Sequence, residues 1–197
     1  MSHRVSLVAV SGSLHAPSKT TVLVREILEE FAVALAAQPG VEVETELIEL
    51  GAIGREFSGA LRRDELSPVA EAAIRRIESA TLLIVASPVY RASFTGLFKH
   101  VFDFVGQYVL IDKPVLLAAT GGSDRHALII EHQFRPLFAF FQALTLPIGV
   151  YASDVDFVDY RLESAQLRDR ISQAVQRGVP VVRGTLPDRV SEYVATW

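Results

Sequence analysis

Three short segments carry residue types and spacings suited to chemistry. The first is Ser11-Gly12-Ser13-Leu14-His15-Ala16-Pro17-Ser18-Lys19-Thr20. It brings the hydroxyls of Ser11, Ser13, Ser18 and Thr20 to the start of a helical pattern. A helix N-terminus presents unpaired N–H groups and the positive end of a dipole, so hydroxyls gathered there form a phosphate cradle. Neither familiar phosphate loop is present. Ser18 stands where GxxxxGK[ST] needs its second glycine, and the spacing from Gly12 is one residue too long. The GxGxxG dinucleotide fingerprint is absent. The second segment is Ser87-Pro88-Val89-Tyr90-Arg91-Ala92-Ser93-Phe94-Thr95-Gly96. It can set backbone amides and Tyr90 against the edge of a flat heteroaromatic ring. The third is Ala119-Thr120-Gly121-Gly122-Ser123-Asp124-Arg125-His126. Its paired glycines let backbone approach a ligand closely. Each segment alone also reads as an ordinary Ser-capped or strand-ending turn. Their weight comes from lying at one edge of one sheet.

The elements that must position them alternate between strand and helix. Residues 5–10 are apolar and largely β-branched, a first strand ending in Ser-Gly-Ser. Residues 21–37 follow with Val22, Ile27, Phe31 and Leu35 near helical spacing, Ser18 as N-cap and Pro39-Gly40 as the stop. Val41, Val43, Thr45 and Leu47 alternate with Glu42, Glu44 and Glu46, which predicts an edge strand with one wet face. Residues 51–67 read as irregular, and Pro68 opens a helix to about Ala80. Residues 81–86 and 114–119 are near-continuous apolar runs, as in strands buried on both faces. A helix over 95–105 lies between them. A long helix over 125–144, interrupted by Pro136, precedes a fifth strand at 148–152 and a last amphipathic helix at 162–176. From about Val179 no pattern is strong. Five strands alternating with helices predict a parallel α/β sheet with right-handed crossovers. The wet second strand and dry first, third and fourth fit the order 2-1-3-4-5. Ligands of such sheets sit beyond the carboxyl ends of the strands, at the switch between strands one and three. The three segments lie there.

Composition bounds the rest. The chain has 197 residues, 50% hydrophobic and 21% charged, with a formal net charge of -4. One domain spanning residues 1–197 is expected, its tail from about 179 unassigned. The acidic balance argues against nucleic acid as a partner. There is no cysteine, which removes disulfides, zinc-thiolate sites and thiol chemistry and fits a cytoplasmic location. No apolar run reaches membrane-spanning length, and residues 1–10 are too short for a signal sequence. Asp154, Asp156 and Asp159 read as a solvated loop, and no metal site is expected. His100 and His132 read as interface or core residues. Phe134, Leu137, Phe138, Phe140, Phe141 and Leu144 are apolar around more than one helix face, which predicts a second surface between subunits.

In order and spacing, SGSLHAPSKT, SPVYRASFTGLFKH and ATGGSDRH resemble the NAD(P)H-dependent FMN reductases of the flavodoxin-like fold. They are most similar to the flavin reductases of two-component sulfonate monooxygenase systems. The resemblance covers about residues 4–177, and SPVYRASFTGLFK is its most specific part. It implies a three-layer sandwich, FMN, NADH or NADPH as hydride donor, and a homodimer or homotetramer. It also implies a partner monooxygenase in sulfonate or sulfur assimilation. By that resemblance Ser11, Ser13, Ser18, Lys19 and Thr20 hold the FMN phosphate. Pro88, Val89, Tyr90 and Arg91 line the isoalloxazine, Thr120, Gly121 and Gly122 approach it from the next strand, and Ser93 is a weaker candidate. Near His126, some relatives carry a flavin-stacking residue and a π-bulge. Two competing readings stay open: a quinone or azo reductase that keeps its FMN, and a flavodoxin-type electron carrier.

Overall fold

A computed structural model describes residues 3–186. The first strand, β1 (His3–Ser11), leads through the Ser-rich loop into α1 (Lys19–Ala36). Ser18 caps α1, its hydroxyl accepting from Thr21 N–H at 3.1 Å. The next elements are β2 (Val41–Glu49), a single turn α2 (Leu50–Ile53) and α3 (Pro68–Ser79). After them come β3 (Leu82–Pro88), α4 (Gly96–Asp103) and β4 (Pro114–Gly121). Ser67 and Thr95 cap α3 and α4 as Ser18 caps α1. Each such cap is worth about 1 kcal/mol.

The order is β2-β1-β3-β4, and every pairing is parallel. The fifth position is filled by two short pieces, β5 (Leu144–Thr145) and β6 (Val150–Ser153), both parallel to β4. This is the flavodoxin-like order read from the sequence. β2 is the edge strand, and its glutamates take the wet face, Glu44 meeting Arg4 at 3.3 Å. Side chains of the inner strands alternate between two cores. Val5, Leu7 and Ala9 pack with Leu23, Ile27 and Phe31 of α1, whereas Val8 and Val10 pack with Ile74, Phe98 and Phe102 on the other side.

Four stretches differ from expectation. Residues 51–67 are not featureless. They contain α2 and two 3-10 turns, Gly54–Phe57 and Arg63–Glu65. Fully buried Phe57 anchors them, and the Arg63 guanidinium is forked onto Glu71 (3.0 Å) and Glu78 (2.8 Å). The expected helix over 125–144 begins later and is shorter. A 3-10 turn at Asp124–His126 is followed by a π-helical turn, Ile130–Phe134, and then α5 (Arg135–Phe140). Pro136 does not interrupt α5. It lies in its first turn, where the missing N–H costs little. A two-residue hairpin, β7 (Phe157–Val158) and β8 (Arg161–Leu162), follows β6. The last helix, α6 (Ala165–Thr185), runs on past Pro180 because Val175, Val179 and Val182 continue its buried stripe. The part of the tail from residue 187 onward lies outside the described residues.

The aromatic segment divides. Phe134, Phe138 and Phe141 enter the core, where Phe102 and Phe138 stand 5.1 Å apart in a T-shaped pair. Phe140 and Leu144 face outward at 59% and 42% exposure.

Candidate functional site

The loop after β1 is fixed before any ligand is considered. Gly12 N–H donates to Ala86 O at 2.7 Å, and the Thr95 hydroxyl donates to Gly12 O at 2.9 Å. A Cβ at Gly12 would stand 2.9 Å from Phe98 and 3.0 Å from Ala86 O, so the close approach of loop to strand requires glycine. Thr95 thereby latches the first segment to the second, and its own N–H donates to the Ser87 hydroxyl at 3.0 Å. The second segment is latched to the third by Val89 N–H donating to Thr120 O at 2.8 Å.

These three segments close around a cavity of about 390 Å³. Ser13, Ser18, Lys19 and Thr20 line it from the first segment, with His15 and Pro17. Pro88, Val89 and Tyr90 line it from the second, and Thr120, Gly121 and Gly122 from the third. Larger grooves exist, such as one of about 730 Å³ between α1 and α6, but they lack converging donors of this kind. At the α1 end, Ser18 and Thr20 are buried, and Lys19 and Thr20 N–H have no acceptor among the described residues. The Thr20 hydroxyl pairs with that of Thr120 at 2.6 Å, tying the helix start to the end of β4. Two free helix amides beside several hydroxyls are the donor set a terminal phosphate needs.

Other expected residues stand elsewhere. Ser11 is fully buried, and its hydroxyl bonds with that of Thr21 at 2.8 Å, so it braces the helix start and does not line the cavity. Arg91 is exposed at the tip of a tight turn. Tyr90 N–H donates to Ser93 O at 2.8 Å and Ser93 N–H donates back at 3.1 Å, with Arg91 (φ 51°) and Ala92 (φ 66°) both left-handed between them. The Ser93 hydroxyl turns to Gln133 at 3.1 Å, linking this turn to the π-helical turn. His126 is exposed in its 3-10 turn, and the π-helical turn begins only at Ile130.

One wall was not legible in the sequence. Ser153 and Asp154 at the end of β6, with Phe157 and Tyr160 of the β7–β8 hairpin, complete the cavity. Asp154, expected in a solvated loop, reaches into the cradle and accepts from Lys19 Nζ at 2.7 Å. The Tyr151 hydroxyl lies against Gly121 and donates to Ser123 O at 2.5 Å. Burial first, and then the carboxylates of Asp124, Asp154 and Asp156, hold the Tyr151 phenol above its ordinary range. Glycine at 121 therefore also makes room for this tyrosine.

The chain matches a family described as NADPH-dependent FMN reductase over residues 5–157. It is 53% identical over 181 residues to an NADH-dependent FMN reductase, SfnE, of Pseudomonas putida, covering 92% of this chain and 94% of that one. It is 47% identical to an FMN reductase (NADPH) of Pseudomonas aeruginosa, covering 93% and 96%. Among solved structures, an oxidoreductase from Corynebacterium diphtheriae superposes with a TM-score of 0.83 at 31% identity, over 93% of this chain and 99% of that one.

Proposed function

We propose, on the premise that this chain belongs to the NADPH-dependent FMN reductase family, that FMN is bound in the cavity beyond β1, β3 and β4 and leaves it reduced. The chain is an oxidoreductase that moves hydride from NADH or NADPH to FMN. FMN, when bound, supplies the ring that accepts the hydride. The protein binds and orients. Lys19 and Thr20 amides, with the hydroxyls of Ser13, Ser18 and Thr20, hold the phosphate. Residues 88–90 and 120–122 line the ring. Arg91, at the rim, is left to meet the nicotinamide substrate. Hydride transfer to the ring needs no side-chain acid or base, and none of the lining residues is assigned that role.

The observation that carries this reading is the convergence of a helix N-terminus, a Pro-Val-Tyr segment and a Thr-Gly-Gly segment on one cavity. A flavin-dependent monooxygenase is the partner that takes the reduced flavin. The resemblance of the three segments to reductases of two-component sulfonate monooxygenase systems supports one acting in sulfonate or sulfur assimilation. Exposed Phe140 and Leu144 support assembly into a homodimer or homotetramer. The test is steady-state oxidation of NADH and of NADPH with excess FMN, FAD or riboflavin, followed by transfer to a flavin-free monooxygenase. FMN-dependent turnover with transfer is expected. Flavin retained through gel filtration, with quinones or azo compounds as the acceptors, would overturn the release step.

A further inference from the structure

Among the described residues lining the cavity there is no arginine, Lys19 is the one lysine and Asp154 the one carboxylate. They are paired to each other, Lys19 Nζ standing 2.7 Å from Asp154 Oδ1 and 3.5 Å from Asp154 O. Their side chains are 31% and 60% exposed. The neighbouring carboxylate does different work. Asp156 accepts from Ser153 N–H at 2.7 Å and from the Ser153 hydroxyl at 3.2 Å, which fixes the 3-10 turn after β6. Asp154 has no such local bond. Lys19 is the partner of its carboxylate among the described residues. Its place in the site is therefore electrostatic. The β6–β7 connection delivers a negative charge to a cradle otherwise made of donors.

We propose that Asp154 is an affinity-limiting, specificity-determining residue. It occupies the single lysine of the phosphate cradle and repels the phosphate, so that FMN is held loosely enough to exchange. This rests on the reading that the α1 end of the cavity takes the flavin phosphate. With Lys19 and Asp154 together neutral, what is left for the phosphate is the dipole end of α1, its free amides and the hydroxyls. Those donors give recognition without a lasting ionic grip. A flavin traded as a substrate has to leave each cycle, and a cradle without net positive charge permits it. Asp154 acts on the phosphate and has no reason to alter binding of the ring.

The experiment compares FMN with riboflavin on the full chain, by calorimetric titration and by stopped-flow dissociation. Asp154→Asn and Asp154→Ala are both made, with a thermal melt of each as the folding control. Removing one negative charge beside a phosphate at a half-exposed site is expected to tighten FMN about five- to tenfold at low salt, and less at high salt. The gain should appear as slower FMN dissociation, with riboflavin affinity unchanged within about twofold. If the wild type prefers FMN and neither variant tightens it, the proposal falls while the phosphate site stands. A gain shared equally by riboflavin also overturns it, because the effect would then lie in the hairpin or the ring. A wild type that binds both flavins alike removes the phosphate cradle itself, and this inference with it.

Discussion

Gly121→Ala separates two reasons for a glycine at the end of β4. A Cβ there would stand 2.2 Å from Tyr151 Oη and 3.2 Å from its Cζ, with Val89 Cγ2 at 3.5 Å. The tyrosine cannot retreat through its backbone, because Tyr151 pairs with Ala119 across the β4–β6 ladder. The ring must rotate, and the hydroxyl then loses Ser123 O. Losing a net hydrogen bond costs about 0.5–1.5 kcal/mol. An off-rotamer aromatic adds about 0.5–1.5 kcal/mol. Replacing glycine by alanine inside a strand returns about 0.5–1 kcal/mol. The expected net loss is about 1–2 kcal/mol, which for a chain of this size lowers Tm by roughly 3–6 °C. Tyr151→Phe deletes the oxygen in the way and leaves the 3.2 Å contact, which a small ring shift relieves. In that background Gly121→Ala should cost less than about 0.5 kcal/mol, or stabilise. Urea unfolding of the four proteins gives the cycle directly. Equal cost in both backgrounds would refute the argument that Tyr151 demands glycine here.

Three further outcomes follow from named contacts. The raised Tyr151 phenol favours its protonated form in the folded state, so its contribution is fully present below the ordinary tyrosine range of about pH 10 and is lost as pH rises through the folded value. Tyr151→Phe should therefore flatten the alkaline limb of a stability–pH profile measured by thermal melts. Ala92→Gly should stabilise by about 1 kcal/mol, because Ala92 holds a left-handed φ of 66°; a fall in the denaturant midpoint would show the turn to be of another kind. Ser18→Ala should cost about 1 kcal/mol through the lost cap on Thr21 N–H. The same variant should weaken FMN and leave riboflavin unchanged, as paired titrations would reveal.

Much of the scaffold was legible because its signals are local or strongly periodic. Residues 82–86 and 114–119 are apolar on both faces and lie in β3, which pairs with β1, and in β4, which pairs with β3. The glutamate alternation in β2 marks an edge, and Ser18 marks the start of α1 to within a residue. Where reading failed, a tertiary contact overrode the local rule. Pro180 should break a helix, yet Val175, Val179 and Val182 hold α6 against the sheet beyond it. The fifth strand is split, and neither piece is long enough to show alternation. Its irregular bridge is satisfied by Arg135, which donates to Thr145 Oγ1 (3.1 Å), Leu146 O (3.2 Å) and Pro147 O (3.0 Å). No sequence period announces such a clamp.

The cavity shows the same division within one site. Its phosphate end is continuous in sequence, so hydroxyls and a helix start can be read together. Its far wall depends on two-residue strands and a turn whose residues lack the usual Asn-Gly signal. Asp159 and Tyr160 take φ of 47° and 58° there, as Arg91 and Ala92 do across the cavity. Both turns thus place consecutive non-glycine residues in the left-handed region, and each sets a tyrosine, Tyr160 or Tyr90, on the cavity wall. Such backbone costs of order 1 kcal/mol per residue and persists where surrounding packing fixes it. One turn is held by its own paired hydrogen bonds and by Ser93 on Gln133, the other by the β7–β8 pairing. A strained turn built from non-glycine residues leaves no compositional trace. Asp154, carried into the cradle by the β6–β7 connection that precedes this hairpin, likewise becomes visible only in three dimensions.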